Sequence, residues 1–203
     1  MSDSKRIYTT AFEGALGELG FLRRYGLFVR TLSQGNTGTL GLTTTLLRDG
    51  PVHVFAVAWV RHSEIYDRGV ELGAYPESKT NGTLSVPLQY LDPAGEAGNY
   101  QLDRSGIGSE AEIARLREDV VRLALPFYER LSTPELALEE IRARSFRLLN
   151  NVPSFVPVAM LLSGDVVGAL DSAKTFLASM DARRGSGRQY QQFVDKLAAA
   201  TRH

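Results

Sequence analysis

The hydrophobic pattern of this 203-residue chain changes near Ser105, and this change constrains the fold more than any other feature. Before Ser105 the pattern predicts one helix and then short segments in which apolar and polar residues alternate, which is typical of strands. After Ser105 apolar residues recur at helical spacing. A sheet that comes first and a helical block that comes last must cover each other or fold as two units. The pattern therefore predicts the α+β class.

The first part, residues 1–104, is predicted to hold a helix and a four- to five-stranded, mainly antiparallel sheet. The helix spans about Ile7 to Leu19, where apolar residues recur at helical spacing and Gly20 follows as a stop. The predicted strands are Tyr25–Leu32, Thr39–Leu47, Val52–Arg61, Thr83–Leu91 and, very short, Tyr100–Leu102. Residues 63–82 are polar and contain glycine, so they are predicted to form a long connecting loop.

Two of these strands have predicted positions in the sheet. Val52–Val60 is apolar at every position except His53, which predicts a central strand covered on both faces at least in part. Pro87 has no N–H to donate to a neighbouring strand, which places the fourth strand at an edge.

The second part, residues 105–203, is predicted to form four to five helices. Ser109 and Glu112 have the spacing of a capping box, and Pro126 is predicted to kink or split the helix that follows. The remaining predicted helices are Pro134–Leu149, Phe155–Leu162, Val166–Asp181 and Ser186–Ala200. Because the sheet is small and its central strand needs cover, we expect this block to pack on residues 1–104 as one unit.

Composition excludes several classes of protein. The chain has no cysteine, which excludes disulfides, thiolate nucleophiles and cysteine-bound zinc and fits a reducing compartment. Its net charge is zero, and the charges divide almost evenly between the two parts, so a nucleic-acid partner is not expected. Met1–Arg6 lacks the apolar core of a signal peptide, and no apolar run approaches the length of a membrane span. These observations predict a cytoplasmic protein with no membrane association.

A search for chemistry finds few candidates. There are only three histidines, and the chain has no Gly-x-Ser-x-Gly nucleophile elbow and no histidine pair with metal-ligand spacing. The glycine-rich stretch Ser105–Ser109 lacks the lysine and the spacing of a phosphate-binding loop. No catalytic residue, metal or cofactor is therefore predicted.

One cluster, residues 59–68, stands out because it combines aromatic, basic and acidic side chains where the central strand ends. His62 could act as a general base oriented by Glu64 or Asp67, or the arginines could bind an anionic ligand through bidentate hydrogen bonds. The alternative is a solvated loop whose charges pair with one another. The candidate binding residues are Trp59, Arg61, His62, Glu64, Tyr66 and Arg68, together with Arg30 in the first strand.

Two segments resemble known families. Val158–Leu170, with its apolar first helix, Gly164-Asp165 turn and Ala169-Leu170 contact, resembles a single tetratricopeptide helix hairpin. The N-terminal helix ending in Leu19-Gly20-Phe21, followed by Phe28-Val29-Arg30, resembles an uncharacterised bacterial family that begins with such a helix and a sheet. This second resemblance implies a fold but no activity and no catalytic residues.

The sequence leaves two hypotheses for function. The first is a non-enzymatic protein-interaction module, either an adaptor or a toxin-neutralising immunity-type protein, whose partner is another protein. The helix hairpin, the balanced charge and the lack of a catalytic constellation favour it. The second is a small-molecule-binding protein or enzyme that uses a cleft between sheet and helices near residues 59–68.

Overall fold

A six-stranded sheet with helices before and after it forms the framework of the computed structural model, which describes residues 3–46, 50–103, 105, 108–146, 149–180 and 185–201. The predicted strand end Leu47, Gly106 and Ile107 of the glycine-rich stretch, and the predicted helix end Asp181 lie outside these ranges. The strands are β1 (Leu22–Arg24), β2 (Leu27–Thr31), β3 (Thr37–Leu46), β4 (Val52–Arg61), β5 (Leu84–Pro87) and β6 (Asn99–Leu102). The helices are α1 (Asp3–Gly17), α2 (Ser63–Leu72), α3 (Glu110–Asp119), α4 (Leu125–Arg130), α5 (Pro134–Arg142), α6 (Val152–Leu162), α7 (Val166–Ser179) and α8 (Gly185–Ala200).

The order of the strands is β1-β2-β3-β4-β5, and all of the pairs are antiparallel. Strand β4 is central, because it pairs with β3 along its whole length, with β5 through Val57–Val60 and with β6 through Val52–Phe55. Strand β5 lies at an edge, as Pro87 predicted. The α+β class, the N-terminal helix, the antiparallel sheet and the C-terminal helices are thus confirmed.

The segment predicted as one strand from Tyr25 to Leu32 is instead the second half of a hairpin. Tyr25 and Gly26 both have positive φ, 53° and 81°, and they form the turn between β1 and β2. A two-residue hairpin turn of this kind needs positive φ at both central positions, which matches the right-handed twist of the strands. Glycine adopts this conformation without strain.

The prediction of a loop over residues 63–82 is wrong in its first half, where α2 forms. Its buried residues, Ile65, Tyr66, Gly69 and Leu72, have helical spacing, but charged residues between them obscure the stripe in the sequence. The helix ends at Gly73, whose φ of 78° is the left-handed conformation typical of a helix C-terminus. Only the stretch after Gly73 connects without regular structure to β5.

The predicted cover of β4 is complete on one face and only partial on the other. Val52, Val54, Ala56, Ala58 and Val60 are buried, whereas the residues between them are half-buried or exposed. The buried face packs on the helices. For example, the Tyr128 ring of α4 lies against Gly38, and its hydroxyl donates to the Thr39 carbonyl at 2.7 Å.

The first helix after the sheet confirms the predicted start and disruption but not the predicted cap. The N–H of Asp103 donates to Ser109 Oγ, and the N–H of Gln101 donates to Glu112, so both side chains tether β6 rather than cap α3. A π-helical segment, Val120–Ala124, joins α3 to α4. Pro126 has no N–H for the helical ladder, and the wider π turn lies directly before it.

The remaining helices follow the predicted order with shifted ends. Thr133 caps α5 by accepting from the N–H of Leu136, but α5 ends at Arg142 and not at Leu149. The segment that resembles a tetratricopeptide hairpin forms α6 and α7, and Asp165 caps α7 by accepting from the N–H of Gly168. Helix α8 begins at Gly185, one residue before the predicted Ser186. One continuous core contains side chains from the sheet and from the helices on both sides of Ser105.

Candidate functional site

The side of the sheet that the helices leave uncovered is a candidate surface, and we call it the open face. The strand register assigns its residues, since side chains directly opposite each other lie on one face. The open face consists of Leu22, Arg24, Leu27, Val29, Thr31, Thr37, Thr39, Gly41, Thr43, Thr45, His53, Phe55, Val57, Trp59, Arg61, Ser85, Pro87, Asn99 and Gln101.

Apolar side chains on this face are accessible to solvent. Leu22 is 62% exposed and Phe55 is 38% exposed, while Leu27, Val57 and Trp59 are half-buried. The His53 and Phe55 rings stack with centroids 6.5 Å apart. Contiguous exposed apolar surface is typical of sites that bind another molecule.

Trp59 lies flat at the centre of the open face. A side chain at Gly41, on the neighbouring strand, would place its Cβ 2.5 Å from the indole ring, and one at Gly82 would place it 2.6 Å away. Both positions therefore have to be glycine for the ring to lie against the backbone. The half-buried indole is thus held against the backbone at both positions.

Arg61 lies beside Trp59 and anchors the loop that leads to β5. Its guanidinium carbon is 3.6 Å from the centroid of the Tyr66 ring, and Nη1 donates to the carbonyl of Ser78 at 2.8 Å. Nη2 is 3.6 Å from Asp67. These contacts fix the position of Arg61 at the rim of the open face.

A cleft of about 190 Å³ lies over this end of the open face. Its walls include Arg24 and Tyr25 from the β1–β2 hairpin and Lys79 from the loop, and the Lys79 ammonium is 6.0 Å from the Tyr25 ring centroid. The cleft is cationic, because none of its lining residues is Asp or Glu. A larger depression of about 740 Å³ shares Tyr25, Arg61 and Lys79 with the cleft but also contains Asp67 and Glu77.

His62 does not belong to this surface, which corrects its assignment as an accessible base or ligand contact. It is 1% exposed, and both ring nitrogens are bonded inside the protein. Nε2 lies 2.8 Å from the carbonyl of Leu131 and therefore carries the proton, while Nδ1 lies 2.7 Å from Thr83 Oγ1. Burial lowers the pKa of His62 to about 4. It is a neutral structural residue that joins the end of β4 to the end of α4.

The other predicted site residues are divided among different surfaces. Tyr66 is buried and donates to the Pro76 carbonyl at 2.6 Å, so it supports Arg61 from beneath. Glu64 is exposed on the first turn of α2, and Arg68 pairs with Glu71 on the same helix. Arg30 faces the helices, on the opposite side of the sheet from Trp59, and donates to the Leu19 carbonyl.

Of the predicted cluster, the structure therefore brings only Trp59 and Arg61 to the open face, with Tyr66 as their support. The residues that sequence reasoning missed are the apolar ones, Leu22, Leu27, Phe55 and Val57. The sequence contained a sign that this face is exposed. His53, Trp59 and Arg61 have odd residue numbers in β4 and therefore share one face of the sheet. Two of these three residues are polar, which indicates a face in contact with water.

A separate buried charge cluster joins the β5–β6 connection to the π segment. Arg122 donates to Asp92 at 3.1 Å and to Asp119 at 2.9 Å, and the Tyr100 hydroxyl also donates to Asp119. Both carboxylates are buried, and the hydrogen bond from Arg122 lowers the pKa of Asp92. The N–H groups of Glu96 and Ala97 also donate to Asp92, so the carboxylates have partners within the protein and the cluster is structural.

Arg122→Ala is expected to lower the free energy of unfolding by about 2 kcal/mol, because it leaves two buried carboxylates without their shared cation. The value is at the low end for such a loss because half of the Arg122 side chain reaches solvent, which screens the interaction. Urea denaturation at pH 7 measures it. Arg68→Ala, which removes a more exposed pair with Glu71, is the control and should cost less than about 1 kcal/mol. Equal losses for the two variants would contradict the assignment.

The fold and the site define a class, an α+β protein whose antiparallel sheet is covered by helices on one side and open on the other. Comparison with protein-family models, with curated proteins and with solved structures gives no significant match. Within the described ranges, no three histidine or acidic side chains are grouped to hold a metal ion. No described helix has the length and apolar character needed to cross a membrane.

Proposed function

We propose that this protein is a non-enzymatic protein-interaction module, an adaptor or an immunity-type protein, that binds a partner protein on its open face. The observation that supports the proposal is the solvent-accessible row Phe55, Val57 and Trp59 on the central strand. The alternate residues of the same strand, Val54, Ala56 and Ala58, are buried under the helices. The lack of cysteine agrees with a cytoplasmic setting, which forms part of the same proposal.

The charges of the open face indicate which chemical groups a complementary partner surface would carry. The face carries Arg24 and Arg61 and no acidic residue, and Lys79 stands beside it. A partner that combines apolar side chains with carboxylates at one end would complement it, since opposite charges favour association and like charges exclude other partners. The rigid Trp59 and Arg61 have the residue types that contribute most to binding at interfaces.

Phe55→Ser is expected to weaken binding of the partner by about 30-fold, which corresponds to the loss of about 2 kcal/mol at an interface hot spot. The partner would first be captured from the native host with the wild-type protein, and its affinity then measured by calorimetry with purified components. Val167→Ser is the matched control, because Val167 is 71% exposed on α7, away from the open face. Equal affinities of the two variants would contradict the open face as the binding surface.

The alternative is a small-molecule-binding protein or enzyme that uses the clefts near residues 59–68. The cationic cleft between Arg24, Arg61 and Lys79 supports an anionic ligand. The burial of His62 argues against a base at this position, because both of its nitrogens already have partners. A thermal-shift screen of small anions tests the alternative, and stabilisation that Lys79→Ala and Arg24→Ala abolish would favour it over a protein partner.

A further inference from the structure

The outer edge of β3 is unpaired over its second half. Strand β2 pairs with β3 only from Thr37 to Leu40, and the chain then turns away at Tyr25 and Gly26. On the other side, β4 pairs with β3 as far as Leu46. Among the described residues, no strand and no other backbone hydrogen bond reaches the outer side of Leu42–Leu46. A row of backbone N–H and C=O groups is therefore open to another strand.

This edge lacks the features that usually prevent strand addition. Edge strands are ordinarily protected by charged residues, proline, bulges or a covering element. The sequence from Gly41 to Leu46, Gly-Leu-Thr-Thr-Thr-Leu, contains neither a charge nor a proline. Thr43, Thr44 and Thr45 are all exposed, and threonine is favoured in strands. The edge thus has the chemistry of a pairing surface.

We propose that a second copy of this chain pairs with this edge, antiparallel and centred on Thr44, so that two sheets join into one. The segment is self-complementary in that register. In this register Leu42 pairs with Leu46 of the second copy, Thr43 pairs with Thr45, and the two copies of Thr44 pair with each other. Pairs of threonines directly opposite each other stabilise antiparallel strands.

The length of the edge favours a second copy over an unrelated strand. The open stretch is bounded at Leu42 by the β1–β2 hairpin turn, so a longer incoming strand would meet Tyr25 and Gly26. In the proposed register the five residues Leu42–Leu46 of the second copy pair with all five residues of the open stretch. A copy of the same strand therefore matches the stretch in length. The inference does not depend on the proposed function, because it uses the edge of the sheet rather than the open face.

Cross-linking tests the register directly, because the wild-type chain contains no cysteine. In Thr44→Cys the Cα atoms of the two opposing cysteines would be about 4.5–5.5 Å apart, which is within the range of a disulfide. We expect mild oxidation to convert most of this variant to a covalent dimer. Thr31→Cys, at an exposed position on β2 away from the edge, is the control and should form at least about tenfold less dimer. Equal cross-linking of both variants would overturn the proposal.

Charged substitutions at Thr43 and Thr45 test the same register independently of cross-linking. Thr43→Lys with Thr45→Lys places like charges opposite each other across the two copies and should raise the dissociation constant of the dimer at least about tenfold. Thr43→Lys with Thr45→Glu in one chain places Lys opposite Glu twice and should restore the dimer. Sedimentation velocity measures both, with circular dichroism to verify folding.

Three further outcomes would overturn the inference. They are a wild-type protein that stays monomeric at high concentration, a variant with both Thr43→Lys and Thr45→Lys that is as dimeric as the wild type, and an edge occupied only by a different protein. Phe55→Ser should leave the dimer intact. A dimer that persists while partner binding is absent would contradict the proposed function alone.

Discussion

Tyr128→Ala is expected to lower the free energy of unfolding by about 4 kcal/mol, within the range found for truncating a buried aromatic residue. The ring is 1% exposed and lies directly against the backbone of β3, where a Cβ at Gly38 would be 2.8 Å from it. It also meets the rings of Phe21 and Phe127 edge to face, at 6.1 and 5.8 Å between centroids. Removing the ring would leave a cavity between the sheet and α4 that neither element can fill by a small shift.

Tyr128→Phe is the matched variant, because it keeps the ring and removes only the hydrogen bond to the Thr39 carbonyl. Tyr128→Phe should lower the free energy of unfolding by about 1–2 kcal/mol, which is the loss expected when one hydrogen bond is removed and its buried acceptor is left unpaired. Urea denaturation followed by circular dichroism measures both variants, and their dependence on urea should match that of the wild type. A loss below about 1 kcal/mol for Tyr128→Ala would show that α4 does not hold the covered face of the sheet.

Acidification from about pH 6.5 to pH 4 is expected to destabilise the protein by up to about 3 kcal/mol through His62 alone. The pKa of His62 falls from 6.5 to about 4 on folding, because burial disfavours the charged imidazolium. Between these values the unfolded chain binds a proton that the folded chain does not, so stability decreases as the pH falls. The full stability is present above pH 6.5, and the loss is complete below about pH 4.

His62→Gln isolates this contribution from that of the carboxylates, which also begin to titrate in the same range. The variant should be less stable than the wild type at pH 7.5, since the bonds to Leu131 and Thr83 are disturbed, but its stability should fall less on acidification. Val167→Ser, at an exposed and non-titratable position on α7, is the control and should keep the wild-type pH profile. Parallel profiles for His62→Gln and the wild type would contradict the assignment of the pH dependence.

The candidate site was only partly predictable from the sequence. The wrong placement of His62 has a physical cause. Trp59 and Arg61 were identified because a strand that ends in mixed aromatic and charged residues marks an exposed end. His62 follows directly in the sequence and was placed with them. However, the chain turns at this point into α2, and the imidazole enters the space between β4 and α4. A change of direction of this kind depends on which elements pack nearby, and adjacency in the sequence does not reveal it.

What the sequence determined by itself was local periodicity, and with it most of the secondary structure. The alternation in β3, the helix start at Pro134 and the disruption of the helix near Pro126 all agree with the structure, because each depends on a few neighbouring residues. The tertiary structure alone decided that α2 forms where polar residues predicted a loop, since Ile65 and Leu72 need a core to pack against. It also decided that β4 keeps one apolar face open. Alternation shows which side chains share a face, but only the packing of the helices determines which face they cover.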